Sequence, residues 1–115
     1  EEMTRDEVIT SADILYPNSY DRQDKERWIQ DVERKIELEI INTHEDPISK
    51  NKEELYAGKP YSDMYIHYIM AQIDKYNEEY DRYSNHMALF NEDYSEYENQ
   101  YHRTHMPIQH GKFSV

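Results

Sequence analysis

The sequence predicts an all-α protein: a small bundle of two shorter N-terminal helices and one long C-terminal helix, followed by an extended tail. Three observations predict it. Apolar and aromatic residues recur at steps of three and four, the period of a helix face. No proline lies between Pro60 and Pro107, so the longest such run is uninterrupted. The boundaries of the shorter runs carry helix-end chemistry, a capping pattern at Thr4 and a Pro-Asn break at Pro17-Asn18.

One number points the other way. Leu, Ile, Val and Phe together make only 20 of 115 residues, a level that with high charge suggests disorder. Twelve Tyr, one Trp and five Met offset the deficit. A tyrosine buries a large ring while keeping a hydroxyl for water or a partner. Regular spacing of those rings decides for a folded chain.

Taken in order, Thr4 to Tyr16 reads as the first helix. Thr4 with Glu7 forms a capping box, and Val8, Ile9, Ala12 and Leu15 make its apolar side. Asp21 to about Thr43 reads as the second, capped by Ser19 or Asp21. Its stripe is Trp28, Ile29, Val32, Ile36 and Ile40, and Glu33 and Glu37, with Lys35 nearby, read as a solvated face. His44 to Pro60 is a connection, with Lys52 to Tyr56 adding a helical turn. Ser62 to about Arg103 then carries Ile66, Ile69, Ile73, Tyr76, Tyr80, Tyr83, Met87, Phe90, Tyr94, Tyr97 and Tyr101 on one seam without a slip. This predicts one long helix, or two with a kink near Ser84-Asn85, where helix propensity weakens. The domain spans 1–107, and 108–115 is a tail whose Ile108, Phe113 and Val115 are candidates for docking on a partner.

A seam of that length measures about 60 Å as one helix, and two short helices cannot cover it. The expectation is an intermolecular contact through Tyr76, Tyr80, Tyr83, Met87, Phe90, Tyr94, Tyr97 and Tyr101. The alternative is an intramolecular core with the hydroxyls at its edge.

The charge balance, 25 acidic against 13 basic residues for a net −12, repels phosphate backbones and anionic membranes and favours a basic protein partner. The chain has no Cys, hence no disulfide framework or thiolate chemistry. Glu1-Glu2 ahead of Met3 reads as a trimmed or appended start, and the absence of a secretory or membrane-spanning run predicts a protein made in the cytosol.

Catalytic patterns are not evident. The sequence has no HExxH, GxSxG or SxxK, and two glycines cannot build a phosphate loop. The acid pairs fall on polar faces, where solvation keeps them ionised. His102 and His105 lie three apart near a helix end but lack the further ligands a zinc site needs, and His67 on the seam's flank reads as a satisfied interface residue. The expectation is no catalytic, metal or cofactor site, and a binding or assembly role.

Pro60-Tyr61, Met64-Tyr65, Ala71-Gln72-Ile73-Asp74, Tyr83-Ser84-Asn85, Phe90-Asn91, Tyr94 and Arg103-Thr104-His105-Met106-Pro107 together form a diffuse pattern. With the opening helix, the Pro-Asn turn and Trp28-Ile29, it resembles small helical proteins of tailed bacteriophages and prophages of Gram-positive bacteria, the head–tail connector or adaptor proteins. The resemblance covers roughly Thr4 to Pro107 and implies a virion protein of the head–tail neck, assembled in the bacterial cytoplasm. Copies would form a ring between the portal protein and the next tail or head-completion component. DNA would pass without specific binding, with Asp74, Glu78, Asp81, Glu92 and Glu96 as candidates to face the channel. The hydrophilic, lysine-containing loop His44 to Pro60 departs from the pattern. Two other readings stand beside it: an acidic helical regulator that binds a basic protein by imitating DNA charge, and a plain homo-oligomeric coiled coil.

Overall fold

A computed structural model describes residues 2–42 and 53–105. Among them the chain is all-α, with helices α1 (Arg5–Leu15), α2 (Arg22–Ile36), α3 (Asp63–Tyr76) and α4 (Tyr80–Thr104). A π-helical turn, Glu37–Ile41, extends α2. Thr43 to Lys52 and the tail residues Ile108, Phe113 and Val115 lie outside the described residues.

The capping box forms as expected. The Glu7 N–H donates to Thr4 Oγ1 at 3.2 Å, and the Thr4 N–H donates to Glu7 Oε1 at 3.0 Å. Val8, Ile9 and Ala12 are buried, but Leu15 is exposed, because the helix unwinds at Tyr16 before Pro17 and Tyr16 takes the inward place. In α2 the stripe Trp28, Ile29, Val32, Ile36 and Ile40 is buried as its spacing required. The wider π turn brings the adjacent Ile40 and Ile41 both inside. Asp21 is the N-cap of α2 by backbone geometry, without a side-chain cap bond.

Two expectations are corrected next to α2. Glu53–Tyr56 is not a helical turn; it lies antiparallel to the start of the chain, with the Arg5 N–H donating to Glu53 O at 3.0 Å and the Leu55 N–H to Met3 O at 2.9 Å. Nor is Glu33 on a solvated face. Its side chain is buried, its Oε1 accepts the Tyr65 hydroxyl at 2.5 Å and its Oε2 accepts the Tyr56 N–H at 3.1 Å. The Tyr65 hydroxyl in turn accepts the Ala57 N–H at 3.0 Å. A carboxylate tolerates burial only with such donors. Here one comes from a side chain of α3 and the other from the backbone of Glu53–Tyr56, a segment that has no helical bonds of its own to make.

The long seam does not form one helix, and the break is not at Ser84-Asn85, which lie inside α4. The chain reverses at Asn77–Glu79. The Glu79 N–H donates to Asp74 O at 2.8 Å and the Glu78 N–H to Lys75 O at 3.1 Å, with Glu78 at φ 60°. This is a Schellman ending, in which the left-handed position is ordinarily glycine. The helices then zip back along each other: His86 on Asp74 at 2.6 Å, Phe90 on Tyr68 at 5.1 Å, Asp93 on His67 at 2.6 Å, Tyr97 on Tyr61 at 5.8 Å. Beyond the start of α3, the longer α4 packs on the Tyr56 segment and the end of α2. The Tyr94 hydroxyl donates to Glu39 Oε1 at 2.8 Å.

Two outcomes follow. Glu78→Gly relieves a left-handed non-glycine residue and is expected to raise unfolding free energy by about 1 kcal/mol in urea denaturation. Tyr65→Phe removes the donor to Glu33 and the acceptor of the Ala57 amide, and is expected to lower it by about 2–3 kcal/mol, read by the same measurement.

Candidate protein-interaction site

The reversal at Asn77–Glu79 divides the expected interface residues. Phe90, Tyr94, Tyr97 and Tyr101 are buried within the single chain and are core, not contact surface. Met87 packs half-buried against that core, and Tyr83 is half-buried. Tyr76 and Tyr80, which flank the turn, remain 57% and 61% exposed. Ile14 and Leu15, 73% and 62% exposed at the end of α1, were not singled out by sequence as surface residues. Ile14 falls off the Val8–Ile9–Ala12 stripe, which was the available signal; for Leu15 the helix end misled.

Connectivity brings these residues to one end of the bundle. The C-terminal ends of α1 and α3 meet the N-terminal ends of α2 and α4 there. The Tyr16 hydroxyl donates to Asp74 Oδ1, and the Tyr16 ring lies edge-on to His86 at 5.4 Å. The Tyr20 hydroxyl donates to Asn77 Oδ1 at 2.7 Å. Trp28 stacks on Tyr76 with centroids 6.0 Å apart and planes at 14°, and Tyr20 meets Trp28 edge-on at 5.9 Å. Tyr76 thus stands on a buried aromatic base while its outer part meets solvent.

Asp74 does not face outward. It is 1% exposed, held between Tyr16 and His86 Nδ1 at 2.6 Å, because its position on the last turn of α3 points at α4 and α1. Glu78, Asp81, Glu92 and Glu96 are exposed. Arg82 pairs with Glu79 at 3.0 Å. A concavity of about 460 Å³ lies at the turn, lined by Glu78, Glu79, Tyr80, Asp81 and Arg82.

At the opposite end, a second cleft of about 460 Å³ is lined by residues that include Tyr56, Tyr61, Tyr97, Tyr101 and His105. His105 stacks on Tyr101 at 3.8 Å. His102 lies 3.7 Å from Glu98, and His67 is satisfied by Asp93 within the chain. Among the described residues no group of His, Asp and Glu is arranged to hold a metal ion, and no helix is long and apolar enough to cross a membrane.

No protein-family model, curated protein or solved structure matches this chain. The site therefore rests on its own geometry.

Burial sets the chemistry of the tyrosines. Desolvation, then the charge of and hydrogen bond to Glu33, hold the Tyr65 phenol well above its usual range. Desolvation, then a carboxylate partner, raise Tyr94 and Tyr56 as well, through Glu39 and Glu37. Desolvation followed by Glu33 raises Tyr97. Each folded value lies above the unfolded one, so the contribution is complete below the unfolded tyrosine value and is lost as pH rises past it. The urea midpoint should hold steady from neutral pH and fall above about pH 10, in step with phenolate absorbance. A midpoint insensitive to alkali would contradict this assignment of the core.

Proposed function

We propose that the protein is a structural assembly component that works by contact and not by catalysis, and specifically a head–tail adaptor of a tailed bacteriophage. The observation that carries the contact role is the exposed apolar end formed by Ile14, Leu15, Tyr76 and Tyr80, on a chain otherwise rich in charge. Exposed apolar groupings rimmed by polar residues mark interaction sites. The resemblance over Thr4 to Pro107 supports the adaptor reading. In it, copies form a ring between the portal and the next neck component, and residues 108–115 grip a partner.

The corrected seam changes where such contacts lie. Phe90, Tyr94, Tyr97 and Tyr101 serve the fold of one subunit, which also weakens the plain coiled-coil reading. The neighbouring copy or portal would meet the turn end, and the outer face of α4 would line the channel. That outer face carries Glu92 and Glu96, and Glu78 and Asp81 flank its start. Acidic lining lets phosphates slide past without binding. The net charge of −12 separately favours the second reading, an acidic regulator of a nucleic-acid-binding protein.

Co-expression with the cognate phage portal protein tests the proposal. An adaptor should co-purify as a ring on the portal when imaged by electron microscopy. A chain that ignores the portal but captures a nucleic-acid-binding protein, with affinity collapsing at high salt, would overturn it in favour of the regulator. In assembled particles, Glu92→Gln with Glu96→Gln should leave assembly intact and slow DNA ejection. Normal ejection would remove the channel role from this face.

A further inference from the structure

We propose that the exposed apolar face at the turn end is a docking surface for an arginine-bearing segment of another protein. The proposal rests on the contact-protein reading and supplies the chemistry of one partner.

The face is apolar first. Ile14, Leu15, Tyr76 and Tyr80 leave large side chains in water, although burying one such side chain fully is worth roughly 1.5–3 kcal/mol. Tyr76 is held outward by the Trp28 stack beneath it, so the exposure is built into the packing. The ring already takes a cation: Lys75 Nζ lies 5.8 Å from its centroid.

The rim then selects the occupant. Glu78, Glu79 and Asp81 surround Tyr80 in the turn concavity, and Arg82 is the cation among its lining residues. Arg82 is already engaged, by Glu79 at 3.0 Å and by Tyr16. Three carboxylates against one guanidinium leave the concavity negative. A second copy presenting the same end would meet like charge, and at a net −12 its other faces are poor in basic surface too, so the complementary surface belongs to a different, basic protein. Between the two basic side chains the geometry favours arginine. A guanidinium is planar, stacks on an exposed phenol and binds a carboxylate through two parallel N–H donors, whereas an ammonium is a hydrated point charge. In the turn concavity the Tyr80 phenol and the carboxylates adjoin, so one arginine can use both.

The test uses the full chain, isotope-labelled and followed by amide NMR, titrated with an arginine-rich and a lysine-rich peptide of equal length and charge. Saturable shifts should centre on residues 76–82 and 14–16, with the arginine peptide binding about tenfold more tightly than the lysine peptide. Tyr80→Ala should weaken the arginine peptide by roughly fivefold or more, through loss of the stacked ring. Glu78→Gly should weaken it too, while the fold stays at least as stable, which separates docking from folding. Equal affinity for the two peptides, shifts spread along the Glu92 and Glu96 face, or indifference to Tyr80→Ala would each overturn the proposal. A chain that assembles on the portal yet shows no arginine preference would sink this inference and leave the contact role standing. One that binds the arginine peptide but no portal would keep this inference and overturn the adaptor reading.

Discussion

A single buried carboxylate organises the half of the molecule that the helices alone would leave loose. Glu33 sits inside α2, and what makes its burial tolerable is a set of donors from elsewhere: the Tyr65 hydroxyl from α3 and the Tyr56 amide from the segment before it. Tyr65 then holds the Ala57 amide. A segment with no regular structure is therefore pinned to two helices by hydrogen bonds to one charge. The tyrosine cleft borders this pinned segment, and the end of α4 packs on it, with the Tyr97 hydroxyl reaching Tyr56 O at 3.4 Å. The surface on which the end of α4 rests is thus held in place by that charge being satisfied.

The opposite end obeys a different rule. There the chain turns by a Schellman ending with glutamate in the left-handed position, and the turn is secured from outside by Tyr20 on Asn77 and Tyr16 on Asp74. The α1–α2 connection thus acts as a clamp on the α3–α4 turn. That clamp, with the Trp28 stack beneath Tyr76, fixes the end of the bundle at which Tyr76 and Tyr80 stay exposed. Arg22 bridges Asp6 and Glu26 at 2.8 Å each, and Lys25 reaches Asp13 at 2.7 Å, further tying α1 to α2.

Much of the architecture could be read from residues alone, and the failures share one cause. The stripe Trp28 to Ile40 and the Thr4 capping box are local, period-bearing signals, and they held. The seam from Ile66 to Tyr101 also bore the right period, but a period is blind to direction. Asn77-Glu78-Glu79 contains neither glycine nor proline, and the reversal leaves the three-and-four spacing in phase on both sides. Its true signature is hydrogen bonding to Asp74 and Lys75, which sequence does not display. The same blindness misplaced Glu33 and Asp74. Each looks like any acid on a helix, and only the arrival of tyrosines distant in sequence marks it as interior. The site suffered in turn: four seam aromatics moved inside, Leu15 emerged because the first helix ends one step early, and Ile14 lies off the stripe altogether.

The interior that results is an unusual one. Tyr65 answers to Glu33, Tyr56 to Glu37, Tyr94 to Glu39 and Tyr16 to Asp74, each pair joining segments far apart in the chain. An aliphatic core can drift through many combinations of Leu, Ile and Val because dispersion has no direction. Pairs such as Tyr65–Glu33 and Tyr16–Asp74, whose carboxylates are buried, have far fewer neutral neighbours in sequence space, because losing the phenol strands an acid; Glu37 and Glu39 lie nearer solvent and tolerate more. Divergence in such a lineage should proceed through coupled exchanges across these pairs. Its members would then keep these pairs, or exchange both partners together, while the aliphatic positions around them drift.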